Sequence, residues 1–178
     1  SANERSMIAC LLPPDHFHIN SLNSINPHQG DQTNIERRLV LLGLLNSIPY
    51  DYLLRQKITN SIPKYTLFET RIPFITGEHP LFEQILRRVG RLNLIGVPFE
   101  AQQEELGIQP AKESEERRRR LRAEIDAAAF DLYGFEDVDV IERVLDDFGF
   151  VRNPRVMDSD YYDLVLEAFE QGEYRNDP

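Results

Sequence analysis

The longest uninterrupted helical pattern in the chain, residues 113–133, is the strongest constraint on its fold. Leu121, Ile125, Ala128 and Leu132 fall on one stripe of a 3.6-residue period, and Gly134 stands where a left-handed C-cap belongs. Its apolar stripe must be covered by other elements. The flanking sequence supplies them. Residues 137–148 place Val138, Ile141, Leu145 and Phe148 inward, with Gly149 as a stop. Ser159 caps a last helix ending near Gly172.

Prolines divide the preceding part. Pro80 starts a helix with Leu81, Ile85, Val89 and Leu92 on one face, and Pro98 starts a shorter one that Gly107 ends. Thr33-Asn34-Ile35-Glu36 fits a capping box, opening a helix that carries Leu39, Leu41, Leu42, Leu44 and Leu45. Pro49 breaks it near Ser47, because proline lacks the N–H and clashes one turn back. A second short helix runs from Tyr50 to Lys57. Two segments read as strands. Residues 6–12 are an apolar run stopped by Pro13-Pro14, and residues 65–72 are rich in β-branched and aromatic side chains. The expected class is therefore α+β, predominantly helical with a few short strands in the first 75 residues and no internal repeat. The break around residues 107–113 divides the reading into an α+β part, 1–109, and a helical C-terminal subdomain, 110–178.

Of 178 residues, 41% are hydrophobic, which is enough for a real core. The charge is unevenly spread. Residues 1–124 carry 16 cations and 15 acids, whereas residues 125–178 carry four and 15, so the acidity sits in the last third. A net charge of −10 argues against indiscriminate nucleic-acid binding but leaves room for a local basic face. The single cysteine, Cys10, cannot form an internal disulfide and points to a reducing, cytoplasmic compartment. In an apolar strand it would be a buried, inert thiol. No apolar run approaches the roughly 20 residues of a membrane span. The start, Ser1-Ala2-Asn3-Glu4-Arg5, has no signal-peptide pattern and reads as a tag remnant followed by a cut into a longer protein.

Several chemistries lack their residues. There is no phosphate-cradling Gly-x-x-x-x-Gly-Lys loop, no glycine-rich loop with Asn/Asp-Pro-Pro-aromatic for adenine methylation, and no Asp/Glu-x-Lys at Lys57, Lys64 or Lys112. Around Asp15, His16 and His18 point the same way in an extended segment and, with His28 or Asp15, form a weak metal alternative. The competing reading is a polar loop.

The best binding candidates are cations. Arg55, Gln56 and Lys57, with Lys64 and Tyr65 just beyond and Arg37 and Arg38 one helix away, suit phosphates and base edges. The alternative is a solvated helix end, where cations also suit the dipole. The run Arg117–Arg120 reads differently. Glu113, Glu115 and Glu116 each stand four residues before an arginine, as on a salt-bridged exposed helix.

Asn3-Glu4-Arg5-Ser6-Met7-Ile8-Ala9, then Leu44-Leu45-Asn46-Ser47 with Asp51-Tyr52-Leu53-Leu54-Arg55-Gln56-Lys57, resembles the specificity region of large bacterial adenine-DNA methyltransferases. These are the fused type IIG restriction–modification enzymes and related methylases of phage defence. Leu121 to Ala127 with Leu132-Tyr133-Gly134, and Val144 to Phe148, resemble a stretch near their C-terminus. The landmarks span residues 3–152 in family order. The resemblance implies a non-catalytic C-terminal fragment that contributes to DNA target recognition and clamps the duplex. An upstream domain of the same chain, using S-adenosylmethionine, would flip and methylate an adenine. A nuclease is present in some members. No cofactor is expected in the fragment itself. Carried over by residue, Asn3, Glu4 and Arg5 are expected to be architectural. Asn46 and Ser47 either bond the backbone freed at Pro49 or face DNA, and Arg55 and Lys57 would contact phosphate. The alternative is a helical interaction module docking through the acidic helices 136–172.

Overall fold

The computed structural model describes residues 4–13, 16, 19, 22–25, 35–58, 61–108, 114–149 and 154–178. Eight α-helices run through them: α1 (Ile35–Leu45), α2 (Ile48–Arg55), α3 (Lys64–Glu69), α4 (Pro80–Asn93), α5 (Glu100–Leu106), α6 (Glu115–Leu132), α7 (Val138–Asp146) and α8 (Ser159–Gln171). Short 3₁₀ turns precede α5 and follow α8. Among the described residues there is no strand, so the class is all-helical and the α+β expectation is corrected.

Both expected strands fail for the same reason: among the described residues neither has a strand to pair with. In residues 6–12, Met7 is buried while Ile8 and Cys10 are exposed, the alternation of an extended segment. Its partner is a side chain. The Ala9 N–H donates to Asn46 Oδ1 at 2.8 Å, and Asn46 Nδ2 donates to the Ala9 carbonyl at 3.0 Å. The Cys10 thiol is exposed, contrary to the buried thiol a strand would have given. Residues 65–72 instead supply α3. Pro63 leads in with extended backbone, and the Thr66 N–H donates to the Pro63 carbonyl at 3.0 Å. Thr66 and Thr70, four apart, turn inward, with the Thr70 hydroxyl donating to the Thr66 carbonyl at 2.7 Å. Strand propensity expresses a pleated, half-buried surface, and no such surface is offered here.

Helix α6 is the centre. Ala123, Ala127, Ala128, Ala129 and Phe130 are all but inaccessible, so the helix is buried around most of its circumference rather than along one stripe. Its alanines let α4 approach on one side and α8 on another. The largest core cluster joins Leu39, Leu42 and Leu44 of α1 to Ile85 and Val89 of α4 and Leu121 and Ile125 of α6, drawing from both sides of residue 110. A second surrounds Phe130 with Ile141 and Leu145 of α7 and Tyr161 and Val165 of α8. A third packs Met7 on Leu45, Tyr50 and Leu54. Gly43 permits the close α1–α4 crossing, since a Cβ there would stand 2.6 Å from Val89 Cγ2.

The expected caps are largely in place. Gly107 and Gly134 adopt positive φ (61° and 81°) at the ends of α5 and α6. The cap of α8 is Asp158, one residue before the expected Ser159, accepting from the Tyr161 N–H at 2.9 Å. Thr33 of the capping box lies outside the described residues, as do residues 109–113 of the boundary.

Candidate nucleic-acid interface

The break between α1 and α2 exposes carbonyls that need donors. Arg5 supplies them, its Nη2 donating to Asn46 O at 2.6 Å and Ser47 O at 3.2 Å, while its Nε meets Asp51 Oδ2 at 2.7 Å. Asp51 is fully buried on α2 and also accepts from the Ser6 N–H and, at 3.3 Å, from Arg55 Nε. A buried carboxylate is tolerable only when so paired. Arg55 further donates to the Glu4 carbonyl and lies 4.1 Å over the Phe148 ring. Glu4 then closes the circuit: its carboxylate accepts the backbone N–H groups of Arg155, Val156 and Met157. The segment from Glu4 to Ala9 is thereby sewn to α2 and to the approach of α8.

This settles where several candidates lie. Arg55 is held inside that network, with its side chain 13% exposed. Asn46 is paired with Ala9, and the buried Ser47 hydroxyl donates to the Leu44 carbonyl at 2.7 Å. Ser47 thus bonds the backbone at the helix break, whereas Asn46 bonds the segment at Ala9 rather than the backbone freed at Pro49. Gln56, Lys57, Lys64 and Tyr65 stay on the surface. Lys57 Nζ donates to the Glu69 carbonyl at 2.8 Å, tying the end of α2 to the negative end of α3. Arg37 and Arg38 are exposed early in α1, and about 12 Å of helix separates Arg38 from Asn46. They do not adjoin the α1–α2 break.

Three exposed residues join this surface that the strand reading hid. Phe68 is 76% exposed, Phe74 is 90% exposed, and Arg71 is exposed between them; Tyr65 is 65% exposed. A helical period over residues 64–70 would have found Phe68, because it sends Thr66 and Thr70 inward and Tyr65 and Phe68 outward; Arg71 and Phe74 follow the helix and carry no such signal. The Arg71 carbonyl accepts from the Tyr133 hydroxyl at 2.9 Å, fixing this stretch against the end of α6. Burial pushes the Tyr133 phenol well above its ordinary value, so it remains a donor.

The arginine run is also relocated. Arg117 and Arg120 reach Glu124, Arg120 also pairs with Glu167 and Glu173, and Arg119 pairs with Asp158. The pairs expected from Glu115 and Glu116 to Arg119 and Arg120 give way to bonds across to α8 and the C-terminal turn; Glu113 lies outside the described residues. Arg119 and Arg120 thus cement α6 to its neighbours, while Arg117 stays on α6 with Glu124. Beneath them Arg88, 1% exposed, binds Glu124 at 2.7 Å and the Glu173 and Asn176 carbonyls at 3.1 and 2.9 Å. Burial lowers its pKa, and Glu124 opposes that shift.

Acids on α7 remain at the surface: Asp139, Glu142 and Asp146, with Glu136, Asp137 and Asp147 beside them. His16 is exposed, while His18, Asp15 and His28 lie outside the described residues. Among the described residues no group of three or more His, Cys, Asp or Glu is placed to hold a metal. No described helix is long and apolar enough to cross a membrane. Comparison with family models, with curated proteins and with solved structures returned no match.

Proposed function

We propose that this chain is a non-catalytic part of a restriction–modification adenine methyltransferase that touches duplex DNA through the α2–α3 surface. The observation carrying this reading is the exposed set Gln56, Lys57, Lys64, Tyr65, Phe68 and Arg71. Cations neutralise phosphates, and aromatic groups beside them contact sugars, thymine methyls or base steps. The ordered sequence landmarks supply the family, a cytoplasmic setting, and a catalytic domain of the same chain that would hold S-adenosylmethionine. Arg37 and Arg38 form a separate, secondary contact. Arg55, Asn46 and Ser47 act as scaffold, so the DNA surface lies just beyond them.

The test is fluorescence anisotropy with a labelled duplex over a salt series. The double variant Lys57→Glu, Lys64→Glu should weaken binding and flatten the log–log salt slope by about 2, one contact per cation removed. An unchanged slope would remove DNA from this surface. A second reading has its own observation: the acids along the outer side of α7 fit a basic protein partner, consistent with docking through helices 136–172. A partner captured by the wild type and lost on replacing Asp139, Glu142 and Asp146 with Asn or Gln would favour it.

A further inference from the structure

A second surface of the molecule holds a cavity that the DNA reading does not use. Between α1, α4 and α6 lies an open cleft of about 270 Å³. Its floor is apolar, with Leu42, Val89 and Ile125, and its rim carries Arg118 and Arg122 of α6. We propose that this cleft binds a small aromatic anion, its ring on the apolar floor and its acid group between the two arginines.

Size sets the first limit. The volume equals about nine waters, room for a single ring system bearing one acidic group and too little for a peptide or an oligonucleotide. Charge sets the second. Arg118 and Arg122 stand four apart on one face of α6, where two like charges repel. Arg122 is relieved in part by Glu115 at 3.2 Å, a carboxylate 78% exposed. Of Arg117–Arg120, Arg118 is the member that no described carboxylate pairs: it donates one Nη2 bond to the Leu92 carbonyl at 3.2 Å. A guanidinium has five N–H donors in a planar fork, a good match to a carboxylate or phosphate. The one acid lining the cleft, Asp126, has its charge met by Arg5, which lines the same cleft. Asp126 is buried at 3% exposure, with Oδ1 taken by the Ile48 N–H at 2.8 Å and Oδ2 by the Tyr161 hydroxyl at 2.5 Å. An apolar floor with a few convergent polar groups is the usual make-up of a small-molecule site.

The test uses benzoate, phenyl phosphate, uncharged benzamide and inorganic phosphate, titrated into the intact chain while methyl NMR shifts are followed. Benzoate or phenyl phosphate should move the Leu42, Val89 and Ile125 methyls with saturation. Benzamide and inorganic phosphate should each bind at least about tenfold more weakly, the loss expected for one charge-assisted contact or one buried ring. The ranking of the two acids tells a carboxylate source from a phosphate one. The double variant Arg118→Gln, Arg122→Gln should lose the binding at unchanged melting temperature. Val156→Trp, placed at the rim, should block it while both arginines remain. Equal binding of benzamide, equal binding of inorganic phosphate, shifts elsewhere than the cleft, or full binding by Val156→Trp would each overturn the proposal.

Discussion

Helices α6 and α3 reverse the ordinary rule in opposite directions. In α6, Glu124 and Asp126 are buried, and both find partners: Glu124 meets Arg88, while Asp126 meets the Ile48 N–H and the Tyr161 hydroxyl. In α3 and just after it, Tyr65, Phe68 and Phe74 are exposed, and no described core cluster contains them. Buried charges with partners mark scaffold. Exposed rings that no described core cluster takes up are candidates for a surface that meets something else. The two regions therefore answer to different measurements, stability for one and binding for the other.

The sharpest way to break that division is at the centre. Arg88→Ala leaves Glu124 buried with its closest cation gone and frees the C-terminal turn that Arg88 holds. It should cost about 3–5 kcal/mol in urea unfolding. Arg88→Met with Glu124→Leu should recover part of that, because it removes the buried carboxylate together with its closest cation, whereas the single variant leaves Glu124 to the longer contacts from Arg117 and Arg120. A single variant within 1 kcal/mol of wild type would make this pair incidental.

Next in size is a contrast between neighbours. Arg55→Glu puts an acid beside the buried Asp51, empties the Phe148 face and releases the Glu4 carbonyl. It should cost about 2–3 kcal/mol. Lys57→Glu, two residues on, loses only the exposed tie to the Glu69 carbonyl and should cost no more than about 1 kcal/mol. Equal effects would erase the distinction between scaffold cation and surface cation that the two positions embody.

Arg55 and Lys57 also show what could be read from the sequence and what could not. They share a helix end and a charge, so spacing treats them alike. Their fates differ because Asp51 and the strap from Glu4 meet Arg55 from far along the chain. The helices were legible because their signals are local: Pro80, Gly107, Gly134 and Asp137 sit at element ends and act on adjacent backbone. Residues 65–72 were misread because β propensity needs a neighbouring strand, a tertiary fact. The arginine run was misread for a related reason. Its i,i+4 acids are near in sequence, but Asp158, Glu167 and Glu173 lie closer in space.

Asp158 offers a smaller, pH-dependent effect. Its hydrogen bond from Arg119 lowers its pKa, burial opposes this, and the Tyr161 N–H adds to the lowering. A carboxyl whose folded pKa lies below its unfolded value stabilises the fold above the unfolded value, near 3.8 here, and ceases to as pH falls through the folded one. Asp158→Ala should cost about 1 kcal/mol at neutral pH, as for an N-cap. The difference from wild type should begin to shrink below pH ~4 and close as pH falls through the lowered folded value, where the wild-type carboxyl becomes protonated. A gap that persists in acid would mean that Asp158 acts through packing rather than charge.

The smallest effect on stability belongs to the exposed rings, and it carries the most functional weight. Phe68→Ser and Phe74→Ser remove side chains that contribute little to any described core, so each should leave unfolding free energy within about 0.5 kcal/mol. Serine in their place removes apolar area from water, so solubility should rise if anything. The proposed function gives these exposed rings a reason outside the fold. On the DNA reading, that reason is contact between Lys64 and Arg71, the two cations that flank Phe68 in sequence. Both variants should then weaken duplex binding without changing its salt slope, because no phosphate contact is lost. Lys64→Glu should do the opposite and flatten the slope. If the phenylalanine variants fold, bind DNA as wild type does and lose only self-association or a protein partner, the surface belongs to protein. The cations beside it would then set the charge of that partner rather than the register of a duplex.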